Sequence, residues 1–152
     1  MKKILLLSGF ILGSILFQEA SAQLRISIRA NIGSQPVWGP SGYDRAEYYY
    51  LPEIDVFYNV SRRQYVYEQR GRWVFSASLP RQYRNYDLYS GYKVVVNDNR
   101  PYRNAGMYRT KYATYKNNHN QESIRNSKDS RYFKIKGHPE HNNWQNRNRR
   151  RN

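Results

Sequence analysis

The chain has 152 residues, with 26 Lys+Arg against 11 Asp+Glu, a formal net charge of +15 and a mean hydropathy of −0.99. It has no cysteine, which excludes disulfides, thiolate metal ligands, a thiol nucleophile and the lipidated cysteine of a lipoprotein. A balance this basic favours anionic partners, and the compartment decides which.

The first 22 residues address the compartment. Met1-Lys2-Lys3 is cationic, residues 4–17 are apolar apart from small residues, and Ala20-Ser21-Ala22 supplies a small-x-small cleavage pattern. This is the layout of a secretory signal peptide cut after Ala22. The apolar run is short of the roughly 20 residues that a spanning helix needs. No later segment is apolar enough to span, so no transmembrane segment is expected after cleavage. The expected location is extracytoplasmic, in the periplasm or secreted, and the expected organisation is one domain.

Charge is uneven beyond the leader. Residues 23–99 hold 10 Lys+Arg and 7 Asp+Glu, a net of +3, whereas residues 100–152 hold 14 and 3, a net of +11. That asymmetry predicts a compact body followed by a basic extension.

Leu24, Ile26, Ile28, Ala30 and Ile32 alternate with polar residues, which predicts a half-buried strand over 24–32. Gly33-Ser34-Gln35-Pro36 ends it. Tyr48-Tyr49-Tyr50-Leu51 favours a strand, and Pro52 places it at an edge or a bend. From Glu53 alternation resumes, with Ile54, Val56, Tyr58 and Val60 opposite Glu53, Asp55, Phe57 and Asn59. Residues 65–68 read as the next strand. A three-residue loop, Gln69-Arg70-Gly71, would pair Glu68 with Arg72, Tyr67 with Trp73 and Tyr65 with Phe75. Residues 53–79 thus read as a three-stranded meander, and Tyr92-Lys93-Val94-Val95-Val96 as a further strand. Tyr108, Tyr112 and Tyr115 lie at helical spacing, residues 124–136 fit a small hairpin, and the polar end from Gly137 reads as disordered.

The expected fold is therefore mainly β: a small antiparallel sheet of four to five strands in a meander, with a short helix and a basic, partly disordered C-terminal extension. The expected boundaries are 1–22 leader, 23–99 β domain, 100–136 helix and hairpin packing on it, and 137–152 tail. So small a body has little core to spare. This is why the tyrosine-bearing helix is expected to lie against the sheet.

Several runs together resemble a known family. They are Gly33-Ser34-Gln35-Pro36-Val37-Trp38-Gly39-Pro40, the stretch 47–60 (EYYYLPEIDVFYNV), Gln64-Tyr65-Val66-Tyr67, Gly71-Arg72-Trp73-Val74, Ser78-Leu79-Pro80 and 91–97 (GYKVVVN). Asp129-Ser130-Arg131-Tyr132-Phe133 and Gly137-His138-Pro139 follow. In this order they resemble a family of small exported bacterial proteins of unknown function. The resemblance implies no activity and no site residues; it implies that residues 102–136 belong to the fold.

Catalytic chemistry finds little footing. His119, His138 and His141 all lie in the extension, where the geometry of a serine–histidine pair is hard to hold. Glu53 and Asp55, two apart on a strand, would share a face at roughly 6–7 Å, a spacing used by glycoside-cleaving pairs. Strand alternation explains them as well. His138-Pro139-Glu140-His141 with His119 is a weak metal-binding tract. Asn97-Asp98-Asn99 offers oxygen ligands but also reads as an ordinary turn. No catalytic residue, metal or cofactor is expected.

The basic, aromatic surface is the best lead. Arginines recur at Arg62, Arg63, Arg70, Arg72, Arg81, Arg84, Arg100 and Arg103 and in residues 147–151. Guanidinium groups grip phosphate and carboxylate through paired N–H donors. Beyond the inner membrane, the matching polyanions are envelope lipid, glycan or protein surfaces rather than nucleic acid. The candidate binding residues are Arg62, Arg63, Arg70 and Arg72 on two turns, with Trp73, Tyr65 and Tyr67 beside them. The expected function is a non-enzymatic binding or structural module of the envelope. One alternative is an accessory subunit that docks on an envelope protein by strand addition at the Tyr48–Pro52 edge. A glycan-cleaving enzyme is the remote alternative.

Overall fold

The computed structural model describes residues 31–151. The expected leader, and the strand over 24–32 up to residue 30, lie outside the described residues. Ile32 itself begins a 3₁₀ turn, Ile32–Ser34.

Five strands form one antiparallel sheet: β1 Tyr48–Leu51, β2 Val56–Asn59, β3 Gln64–Gln69, β4 Arg72–Ser76 and β5 Val94–Val96. Their spatial order is β4-β3-β2-β1-β5. Strands β1 to β4 form a meander, and β5 returns after a long connection to pair with β1. Two α-helices follow, α1 Ala105–Lys111 and α2 His141–Arg149. The mainly β, antiparallel architecture agrees with the sequence reading.

Both faces of the sheet are covered, so every residue of β1 and β2 is buried. On one face Tyr49, Leu51, Val56, Tyr58 and Tyr65 pack with Trp38, Leu79 and Tyr86 from the flanking loops. On the other, Tyr48, Tyr50, Phe57 and Val66 pack under Tyr102 and Tyr108, the latter carried by α1. Aromatic rings supply much of this core, with Phe57 and Tyr108 edge to face at 5.3 Å and Tyr58 and Tyr65 at 4.9 Å. Such pairs add about 0.5–1.5 kcal/mol each beyond their burial. A third, smaller core joins Ile32, Ile124, Tyr132 and Ile135. There the Tyr132 hydroxyl accepts the N–H groups of Gly42 at 2.8 Å and Tyr43 at 3.0 Å.

Four expectations need correction. Strand β1 is interior, between β2 and β5, and not an edge. Pro52 falls in the turn just after it, so its missing donor costs no ladder bond. The β3–β4 connection is a two-residue turn, pairing Gln69 with Arg72, Glu68 with Trp73 and Tyr67 with Val74. Arg70 and Gly71 both take positive φ, 52° and 73°, the backbone of a turn whose twist matches the strands. Glu68 finds its cation elsewhere, on Arg109 of α1 at 3.1 Å. Residues 124–136 hold two 3₁₀ turns, Ile124–Asn126 and Ser130–Tyr132, in place of a hairpin. The end read as disordered carries α2, anchored by ring nitrogens of His138 and His141 on the Ser127 and Phe133 carbonyls, each at 3.1 Å.

Candidate functional site

The β2–β3 and β3–β4 turns lie at opposite ends of β3, which separates the candidate arginines. Arg62 and Arg63 sit at the first and Arg70 at the second, where Arg72 begins β4. Tyr65 is buried between Tyr58 and the Trp38 ring, and burial pushes its hydroxyl pKa up to about 12. Tyr67 packs half-buried on that same cluster. Trp73 is half-buried on the opposite face, 5.3 Å from Tyr102. These seven residues are therefore spread over two ends and two faces. Arg70 and Arg72 flank an open depression with Gln69 and Val74.

Arg62 has other company. Register places the start of β1 beside the ends of β2 and β5, with Tyr48 opposite both Asn59 and Val96. The start of β3 and the end of β4 lie at the same end of the sheet. Together they frame a groove of about 480 Å³, within the roughly 300–1,000 Å³ usual for small-molecule sites. Arg45, Arg62 and Arg100 all line it, as do Phe75 and Tyr102.

Local structure explains how each is held. Asn59 turns the chain by accepting the Arg62 N–H at 2.9 Å and the Ser61 hydroxyl at 3.0 Å. Asn97 accepts the Glu47 N–H at 3.1 Å, tying the residue after β5 to the approach of β1. With both Oδ1 atoms taken by backbone donors, the Nδ2 groups of Asn59 and Asn97 remain as donors. Arg100 has φ 53° immediately before Pro101. A left-handed backbone is uncommon for a side chain of this size, and a following proline restricts it further.

The groove's electrostatics are one-sided. Its two acids are engaged: Glu47 pairs with Arg45 at 3.1 Å, and Asp98 accepts the Tyr108 hydroxyl at 2.5 Å. Burial, then Asp98, raises the Tyr108 pKa, so that hydroxyl stays a donor. Arg62 and Arg100 are exposed and have no carboxylate partner among the described residues. Two guanidinium groups without an ion-pair partner among the described residues thus line a space in which Glu47 is balanced by Arg45 and Asp98, still charged, is oriented by the Tyr108 hydroxyl.

The carboxylate pair dissolves in three dimensions. Asp55 takes φ 52° in the β1–β2 turn, so strand alternation does not apply to it. It accepts Tyr50 at 3.0 Å and Arg109 at 2.7 Å, on the α1 face. Glu53 accepts Tyr86, a residue of the other face, at 3.0 Å. The histidine tract is likewise occupied: His138 donates from Nε2 to Ser127 and accepts the Glu140 N–H on Nδ1 at 3.0 Å. Among the described residues no group of three His, Asp or Glu side chains could hold a metal.

Arg45 carries no sequence signal of its own, and Arg100 is one arginine among many. The β1–β2 pairing brings Arg45 to Arg62, and only the return of β5 beside β1 brings Arg100 there. Among the described residues no helix is long and apolar enough to cross a membrane. The chain matches no protein-family model, and comparison with the curated proteins and the solved structures gave no match.

Proposed function

We propose that this chain is an exported, non-enzymatic binding module of the bacterial envelope that contacts anionic envelope components through its arginine-lined face. The resemblance to small exported bacterial proteins and the leader-like start support the location. The observation that carries the binding reading is the groove in which Arg62 and Arg100 have no acidic partner among the described residues, while Glu47 is paired with Arg45 and Asp98 is hydrogen-bonded to Tyr108. Guanidinium groups held this way are matched by phosphate or carboxylate. The test is binding to phosphatidylglycerol vesicles and to an acidic polysaccharide over a salt series. Affinity that falls with salt, and falls again in Arg62→Ala, is expected; affinity indifferent to salt would refute a charge-driven contact.

A second reading is docking on an envelope protein by strand addition, moved from β1 to the outer edge of β4. At the other edge, the Gln121 side chain bonds both the N–H and the carbonyl of Lys93 at 2.9 Å, just before β5. Among the described residues the outer edge of β4 has no neighbouring strand, and it presents the exposed ring of Phe75. A partner's extended segment could pair there. Co-purification of one stoichiometric protein, lost on placing proline within β4, is the expected result for that mode.

A further inference from the structure

We propose that the groove between Arg62 and Arg100 is a saccharide subsite that takes an acidic sugar, with the ring against Phe75 and the acid group on the two guanidinium groups. This deepens the reading above and rests on it.

Three features point to a sugar acid rather than to anions in general. The first is an exposed ring: Phe75 is 46% exposed, an unusual position for a phenylalanine in so aromatic a core. It stands at 86° to Tyr102 at 5.4 Å, and Trp73 backs Tyr102 at 5.3 Å, so the ring is braced. A braced, exposed aromatic ring at a groove offers a flat apolar surface to the C–H face of a pyranose. The second is the donor set. The Nδ2 groups of Asn59 and Asn97 add neutral donors to the guanidinium groups, and Gln64 and Asn99 add further amides. Hydroxyl-rich ligands use such groups, whereas a lipid chain would need an apolar cavity. The third is shape. The cations line a concave groove, not a protruding face, so a flat bilayer meets them poorly. The left-handed backbone of Arg100 places its side chain at the cost of local strain, as backbone at ligand-holding positions often does.

The experiment is calorimetric titration of the protein with three probes: a galacturonate tetrasaccharide, maltotetraose as its neutral counterpart, and phosphatidylglycerol vesicles. The wild type is compared with Arg62→Ala/Arg100→Ala, Phe75→Ala and, from the far end of the sheet, Arg70→Ala/Arg72→Ala. Thermal melts accompany each variant to show that it is folded. The acidic tetrasaccharide is expected to bind and the neutral one not. The groove double variant should weaken binding about tenfold or more, Phe75→Ala several-fold, and the far-end variant by less than about twofold. Equal binding of both sugars would overturn the proposal, as would equal losses in the two arginine double variants. An unaltered affinity in a folded Phe75→Ala would overturn the sugar-stacking element. Binding to vesicles but not to the acidic sugar would overturn the saccharide subsite and leave the broader envelope reading standing. Binding to neither would overturn both.

Discussion

Lys93 sets burial against charge. It is 1% exposed, and its ammonium donates to the carbonyls of Leu88 at 2.9 Å and Tyr89 at 3.3 Å. Burial pulls its pKa from 10.5 down to about 8, opposed by Asp87. Between those two values the unfolded chain binds more protons than the folded one, so stability rises with pH. From pH 7 to pH 9 the gain is about 1 kcal/mol, because each tenfold difference in proton affinity between the two states is worth about 1.4 kcal/mol. Above about pH 9 the sign reverses. The buried hydroxyls of Tyr49, Tyr50, Tyr86 and Tyr108 have raised pKa values, so the unfolded chain loses those protons first and stability falls. A maximum near about pH 9 is expected. Urea unfolding, followed by tryptophan fluorescence at half-unit steps from pH 7 to pH 10.5, measures it. Lys93→Met keeps the aliphatic stem and removes the titrating group. It leaves two carbonyls without their donor, a cost that does not vary with pH. The wild type minus the variant should therefore rise by about 1 kcal/mol between pH 7 and pH 9. If both proteins show the same slope over that interval, the buried-cation account is wrong.

Three other substitutions test different parts of the packing. A Cβ at Gly91 would lie 1.7 Å from the Tyr86 hydroxyl and 2.5 Å from its ring carbon, so Gly91→Ala must push that ring off Glu53. A loss of about 1–3 kcal/mol is expected in chemical denaturation, as for other overpacked sites. Tyr132→Phe removes the acceptor for the Gly42 and Tyr43 N–H groups from a fully buried position. It should cost about 1–3 kcal/mol in the same assay and speed hydrogen exchange at those two amides. Arg109→Ala breaks its links to both Asp55 and Glu68, yet all three side chains are about 40% exposed. Its melting temperature should fall by little, corresponding to about 1 kcal/mol or less, and the difference should shrink in high salt.

The alternation of Val56, Tyr58 and Val60 and the aromatic runs at 48–50 and 65–67 are enough to read an antiparallel sheet, because strand pairing needs only a period of two and residues that fill a pleated surface. The helical spacing of Tyr108 and Tyr112 likewise marks α1. Register is not legible in the same way. Glu68 close to Arg72 suggests a cross-strand pair, but Arg70 accepts a left-handed backbone, and Glu68 is satisfied by an arginine 41 positions further on. A two-residue turn mixes polar and apolar residues on each face, which argues against it only where one face meets water. With aromatic layers on both sides of the sheet, neither face needs to be polar. The groove is least legible of all. The meander brings Arg62 and Phe75 together, but Arg100 joins them only because β5 crosses back to β1, and contacts between distant segments leave no periodicity in a chain. Periodicity and composition are local properties, so they suffice to say which elements form and that the molecule is a cation rich in tyrosine. Ion pairing depends on which distant segments meet, so the fold alone settles which charges are paired internally and which are left exposed.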